Sequence, residues 1–226
     1  MNPASIDKAS VLVKKTRDFL TAESSNSNSN NSNKKTIILA PFVYLPLVAK
    51  ELSSSSDQIE WGAQNCSISS EGACTGEISV KMLKSLGCRY VLAGHSECRT
   101  KLGETDCMIN QKVLQILREG LTCILCVGEN LEQFKQGQNT EVCAQQLQAG
   151  LQNCPVSDMD KIIIAYEPVW AIGTGLTATP DIAENVHGFI REWVSKAYSP
   201  EVADKITIIY GGSVNCRNSK MLLSQP

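Results

Sequence analysis

The chain has 226 residues, 42% of them hydrophobic and 19% charged, and its 21 Lys and Arg nearly balance 23 Asp and Glu for a formal charge of −2. That length holds one domain of (β/α) size, or two small ones, with enough apolar content for a buried core. No basic run exceeds the pairs Lys14-Lys15 and Lys34-Lys35, which argues against nucleic acid or an anionic membrane as partner.

The longest apolar stretch, Ile37 to Ala49, is about a dozen residues long and is broken by Pro41 and Pro46, well short of the roughly 20 that cross a bilayer. The N-terminus, MNPASIDKASVLVKK, lacks the basic start and apolar core of a secretory signal. With no such signal, the ten cysteines, scattered through apolar runs of a chain of ordinary domain size, read as reduced thiols and the location as cytoplasmic. One CxxC, Cys123 to Cys126, lies in a β-like run where residues three apart point to opposite faces. It makes a poor metal or redox pair, and no second CxxC or His pair completes a zinc site.

In chain order, Asn2 and Pro3 read as N-cap and first residue of a helix carrying Ile6, Val13 and Leu20 on one face. Ser24 to Asn33 is a polar low-complexity stretch, expected to be a disordered surface insertion, and Ser53 to Ser56 reads as a loop. Six β-rich runs follow: Thr36 to Ala40, Ile59 to Ala63, Arg89 to Gly94, Leu121 to Val127, Lys161 to Tyr166 and Lys205 to Tyr210. Their alternation with helical stretches implies parallel strands joined by crossover helices. Thr179 and Pro180 open the best-marked helix, striped by Ile182, Val186, Phe189, Ile190, Trp193, Val194 and Ala197. Asn215 to Leu223 is helix-like, so the pattern is α(βα)6. An open parallel sheet tolerates it, whereas an eight-stranded barrel would lack its first and last strands.

Phosphate-loop and dinucleotide fingerprints are absent; Ile172-Gly173-Thr174-Gly175 is no G-x-G-x-x-G after a first strand. His187 sits in the long helix as a bystander, whereas His95 follows Gly94 at a strand's C-terminal end. Its alternatives are a structural, hydrogen-bonded imidazole and a functional one. A nucleophile elbow over Gly94 to Cys98 fails because Cys98 stands where Gly is needed. Glu167 directly follows an apolar strand, where partial burial raises a carboxyl toward the range of a general base; taken alone, a carboxylate solvated in a loop is the favoured reading. Pro168 to Ala178 has stiff ends and a glycine-punctuated middle, suited to a lid whose Val169, Trp170 and Ile172 exclude water. Tyr210-Gly211-Gly212-Ser213 closes another strand with backbone N–H groups suited to an anion.

Six segments, in order, resemble the triosephosphate isomerase family: AQN (Ala63 to Asn65), GACTGEIS (Gly72 to Ser79), GHSE (Gly94 to Glu97) with Arg99, CVGE (Cys126 to Glu129), AYEPVWAIGTG (Ala165 to Gly175) and YGGSV (Tyr210 to Val214). The resemblance implies one α/β domain over residues 1–226, a (β/α)8 barrel of that type with first and last strands missing and six parallel strands present. It implies interconversion of dihydroxyacetone phosphate and glyceraldehyde 3-phosphate without a cofactor. In that reading Glu167 is the base and His95, as a neutral imidazole, polarises the carbonyl. Glu97 and Cys126 support them. The lid runs over Pro168, Val169, Trp170, Ala171, Ile172, Gly173, Thr174 and Gly175. Gly173 and Ser213 bind the substrate phosphate, Tyr210 and Ser213 latch the lid, and Gln64 and Thr75 meet a second copy in a homodimer.

The chain also departs from the family. It lacks an Asn-x-Lys pair before Met1 and a Gly-Gly nest after Pro226, so the resemblance implies feeble turnover from these residues alone. Cys98 and Leu176 stand where the family usually has Arg and often has Lys, and the acidic partner of Arg191 lies in the absent C-terminal piece. Two other readings stand beside the isomerase. One is a non-catalytic remnant that folds or binds partners; the other is an aldolase or lyase, for which no strand end supplies an obvious Schiff-base Lys.

Overall fold

A computed structural model describes residues 2–26, 35–53, 59–172, 174 and 177–225. They fall into two compact units, Met1–Leu92 and Ala93–Pro226. Of the insertion expected over Ser24 to Asn33, Ser24 to Asn26 instead close a helix and positions 27–33 lie outside the described residues, as does the loop expected over Ser53 to Ser56 from position 54 onward.

The first unit runs α1 (Ile6–Asn26), β1 (Thr36–Ala40), a 3-10 turn (Phe42–Tyr44), α2 (Leu45–Leu52), β2 (Ile59–Ala63), α3 (Val80–Ser85) and β3 (Tyr90–Ala93), which reaches the boundary. β1 pairs in parallel with β2 from Thr36↔Ile59 to Ala40↔Ala63, and β2 with β3 through Gly62↔Tyr90 and Ala63↔Val91. The close approach at Gly62 demands glycine, since a β-carbon there would stand 1.9 Å from the Tyr90 carbonyl oxygen.

α1 starts at Ile6, not at Pro3. The Ser5 hydroxyl accepts the Lys8 N–H at 3.3 Å, doing the work expected of Asn2, while the Pro3 carbonyl accepts the Tyr44 hydroxyl at 2.9 Å. Of the expected stripe Val13 is buried, but Ile6 is exposed and Ala9 is buried in its stead.

A charged network joins the N-terminal ends of this unit's strands. The Glu60 carboxylate receives Lys35 Nζ at 2.7 Å, Arg89 Nη1 at 2.6 Å and the Tyr90 hydroxyl at 2.5 Å. Burial alone would raise the Glu60 carboxyl, but the hydrogen bonds from Lys35, Tyr90 and Arg89 outweigh it and hold the pKa down at about 2.

The second unit runs α4 (Ser96–Lys101), α5 (Asp106–Arg118), β4 (Thr122–Val127), α6 (Leu131–Lys135), α7 (Asn139–Gly150), a 3-10 turn (Val156–Lys161), β5 (Ile162–Tyr166), a second such turn (Val169–Ala171), α8 (Pro180–Ala197), α9 (Pro200–Lys205), β6 (Thr207–Tyr210) and α10 (Ser219–Leu222). β4 pairs in parallel with β5 from Cys123↔Ile162 to Val127↔Tyr166, and β5 with β6 from Ile163↔Thr207 to Tyr166↔Tyr210. β4 and β5 are buried along nearly their whole length, as parallel strands covered on both faces are. Helices α5, α7 and α8 pack against these strands, and Ile109, Val113 and Ile116 of α5, Leu147 of α7, and Val186, Ile190 and Val194 of α8 are buried.

Thr179 caps α8 as expected, accepting the Ile182 N–H at 3.3 Å with Pro180 in the first turn. Two boundaries move by more than one residue. β6 begins at Thr207, not Lys205, because Ser199 and Pro200 open α9 and carry it through Lys205. Only Ser219–Leu222 of the segment from Asn215 is helical; Asn218 ties the preceding turn, accepting the Asn215 N–H at 2.8 Å and donating to the Ser213 carbonyl at 2.9 Å.

Candidate active site

β3 ends at Ala93, and Gly94 turns the chain with φ +75 into α4, whose N-cap is His95. The backbone N–H of Glu97 donates to His95 Nδ1 at 3.2 Å. Nδ1 is thereby taken up by the main chain of α4, and Nε2 is the ring nitrogen left to face other groups. That Nε2 lies 3.0 Å from Glu167 Oε1.

Glu167 is held at the neighbouring position by continued ladder geometry. Its N–H donates to the Val127 carbonyl at 2.8 Å, one step past the β4–β5 pairing. Its side chain is only 5% exposed, and Oε2 accepts the Ser96 N–H at 2.9 Å. Burial pushes the carboxyl above the usual carboxylate range, an effect that His95, Ser96 and the Cys126 thiol partly offset. Cys126 is itself buried beside Glu167, and burial keeps it a thiol, well above the usual thiol range. The pair is therefore a carboxyl of raised proton affinity beside the imidazole Nε2.

The segment after Glu167 is anchored at its start. Trp170 Nε1 donates to Glu129 Oε1 at 2.7 Å and the Tyr166 hydroxyl to the same oxygen at 3.1 Å. Phe134 stacks on Trp170 with ring centres 4.1 Å apart and planes 23° apart. The Val169 N–H donates to the Glu129 carbonyl at 3.0 Å, Thr174 Oγ1 to the Trp170 carbonyl at 2.8 Å, and Ser213 Oγ to the Ala171 carbonyl at 2.9 Å. Tyr210 packs on the buried cluster of Trp170, Ala171 and Ala178. Gly173 and Gly175 lie outside the described residues.

A profile of the triosephosphate isomerase family matches residues 8–226. The chain belongs to the triosephosphate isomerase family. It is 47% identical over 189 residues to the triosephosphate isomerase of Thermus thermophilus, covering 84% of this chain and 75% of that one. It is 47% identical over 194 residues to that of Debaryomyces hansenii, covering 86% and 77%. It is 46% identical over 200 residues to the chloroplastic one of Arabidopsis thaliana, covering 88% of this chain and 62% of that protein. The fold is accordingly the α/β fold of the triosephosphate isomerase type, with six strands among the described residues, parallel in each pairing given above.

Other residues singled out for triosephosphate isomerase chemistry fall in different places. Glu97 contributes its backbone N–H to His95, whereas its exposed carboxylate pairs with Lys101 at 2.6 Å. In the first unit, Gln64 Nε2 donates to the Leu39 carbonyl at 3.2 Å. Thr75 is exposed on a loop between β2 and α3, which is closed at its base by the Ser67 N–H to Ile78 carbonyl bond of 2.8 Å and turned by Gly72 and Gly76.

Ser96, Glu129 and Arg99 stand in the quoted motifs, but the sequence reading gives them no role. Ser96 supplies the N–H on which Glu167 rests, and its place at the first position of a helix is the signal that could have found it. Glu129 accepts the Trp170 indole N–H. Arg99 donates to the Gly94 carbonyl at 2.8 Å, the Cys126 carbonyl at 3.3 Å and the Asp106 carboxylate, binding the His95 turn to the end of β4. Among the described residues no group of three or more His, Cys, Asp or Glu could hold a metal ion, and no helix is long and apolar enough to cross a membrane.

Proposed function

We propose that this chain interconverts dihydroxyacetone phosphate and D-glyceraldehyde 3-phosphate, a step of glycolysis and gluconeogenesis, through an enediol(ate). The observation that carries the reading is the tethered imidazole: with Nδ1 occupied by the Glu97 N–H, His95 presents only Nε2–H to the pocket beside Glu167. Glu167 takes a proton from one carbon of the triose and returns it to the neighbouring carbon, while His95 Nε2–H donates to the oxygen on which negative charge develops. Two adjacent carbons exchange oxidation level with no net electron transfer, so one base and one electrophile in a dry pocket suffice.

In the resting arrangement Glu167 is engaged by Ser96 and His95, and the carboxylate leaves those donors to meet substrate. Lid closure over Val169, Trp170 and Ile172 excludes water at that moment. Backbone N–H groups of Gly173 and Ser213 hold the phosphate, and Tyr210 with Ser213 latches the closed lid. Gln64 and Thr75 lie at the contact between two copies in a homodimer. The ten thiols accord with a reducing compartment such as the cytoplasm.

The test is a coupled isomerase assay on the purified chain, combined with exchange of solvent deuterium into the carbon next to the carbonyl. Turnover and exchange that both vanish in Glu167→Gln support the assignment. Exchange that persists in that variant overturns Glu167 as the base.

A further inference from the structure

Gly211 follows β6, and its N–H donates to the Tyr166 carbonyl at 2.7 Å, extending the β5–β6 ladder by one residue. That bond ties its backbone to the strand end that carries Glu167. Its φ lies outside the left-handed region, unlike that of Gly94, so the position does not need glycine's conformational freedom. It needs space. A β-carbon at Gly211 would stand 2.8 Å from Glu167 Cγ and 3.1 Å from the Tyr166 carbonyl oxygen.

Neither neighbour yields easily. The Tyr166 carbonyl is held in the ladder, and the Glu167 arm is fixed at its far end by the Ser96 N–H, His95 Nε2 and the Cys126 thiol. We propose that Gly211 is a positioning residue whose missing side chain is the space in which the Glu167 side chain lodges with its carboxylate on His95 and Ser96. This deepens the reading of Glu167 as the base and rests on it for its catalytic meaning.

Neighbouring glycines act on different targets. A β-carbon at Gly128 would strike the Glu167 carbonyl at 1.8 Å, which is main chain. One at Gly212 would strike the Tyr210 hydroxyl at 2.2 Å, whereas one at Gly188 meets nothing within 4 Å. Gly211 bears on the arm that carries the carboxylate.

The chain's two histidines make the test direct. Nitrogen-15 spectra of histidine-labelled full chain should show the His95 Nε2–H signal losing its hydrogen-bonded shift in Gly211→Ala while His187 stays put. Gly212→Ala should leave the His95 signal in place, and an unmoved His95 signal in Gly211→Ala overturns the proposal. A second measurement covers the case in which Gly211→Ala folds poorly. Glu167→Ala lacks the Cγ atom, so most of the Tm loss caused by Gly211→Ala should disappear in that background. Equal losses in both backgrounds, or failure to fold in both, would assign the clash to the Tyr166 carbonyl and overturn the proposal. Neither readout needs turnover, so failure of Glu167 as the base in the deuterium-exchange assay would leave this test intact.

Discussion

His95 Nε2 and Glu167 Oε1 stand 3.0 Å apart, each occupying the group the other would offer to a substrate. The buried carboxyl holds its proton more tightly in the folded chain than in the unfolded one, where 4.5 is the reference value. The sign follows: unfolding releases protons above that value, so this residue's contribution favours folding at low pH and weakens as pH rises through the raised folded pKa. Glu167→Gln is expected to flatten that part of the curve of Tm against pH and to lower turnover by about 10² to 10⁴. An unchanged slope would show that Glu167 titrates as a solvated carboxylate.

Trp170 is held by a hydrogen bond to Glu129 as well as by its stack on Phe134. Glu129 is fully buried, and its Oε1 takes both the indole N–H and the Tyr166 hydroxyl. Trp170→Phe preserves most of the stack on Phe134 and removes the shorter of those two bonds. A buried carboxylate deprived of a donor costs about 1–3 kcal/mol, so a lower urea midpoint with unchanged slope is expected. Burial already raises the Glu129 carboxyl; losing the indole should raise it further and steepen the fall of stability with rising pH. Equal midpoints for the two proteins would place the strength of this anchor in the aromatic stack.

The six strands and the placement of His95 and Glu167 just past strand ends were legible because their signals are local. Ile162 to Tyr166 is apolar without interruption and Glu167 follows at once; Leu92 and Ala93 precede the Gly94 turn to His95 in the same way. What escaped depends on partners distant in sequence. Asn2 and Pro3 make a good helix start on paper, yet Tyr44 takes the Pro3 carbonyl and leaves capping to Ser5. Lys205 reads as the start of a strand until Ser199 and Pro200 are weighed as a helix start of their own. The Glu60 network exists because strand register sets Gly62 beside Tyr90 and brings Lys35 and Arg89 to one carboxylate, which no single segment announces. Arg99 likewise acts on the carbonyl of Cys126, in another element.

That Glu60 network predicts the acid limb of stability. Its folded pKa, about 2, lies below the reference value of 4.5. The contribution is therefore fully present above 4.5 and is lost as pH falls toward 2, the opposite sign to Glu167 and Glu129. A shift of that size corresponds to at most about 3 to 4 kcal/mol, less whatever solvent screening removes through the exposed Lys35 and Arg89. Glu60→Gln should lower the Tm at pH 7 and make the loss between pH 4.5 and 2 shallower than in the parent. Parallel acid limbs would mean that carboxylates elsewhere control acid unfolding.

Arg99 offers the sharpest test of how the His95 turn is held. Its guanidinium reaches the Gly94 carbonyl, the Cys126 carbonyl and the Asp106 carboxylate from three different nitrogens. Lys keeps the charge but presents one compact ammonium, which cannot span three acceptors set around a planar fork. A β-carbon at Gly94 would lie 3.2 Å from Arg99 Nη2, so the side chain also packs closely under the turn that aims His95. Arg99→Lys should cost about 1.5–3 kcal/mol, the range for a lost hydrogen bond to a charged group, read as a lower urea midpoint at constant slope. Because the released carbonyl belongs to the residue before His95, turnover should fall more than the apparent affinity for substrate does. A midpoint within about 0.5 kcal/mol of the parent, the range of an ordinary surface substitution, would show that the turn is held by Gly94 and the α4 cap without the arginine.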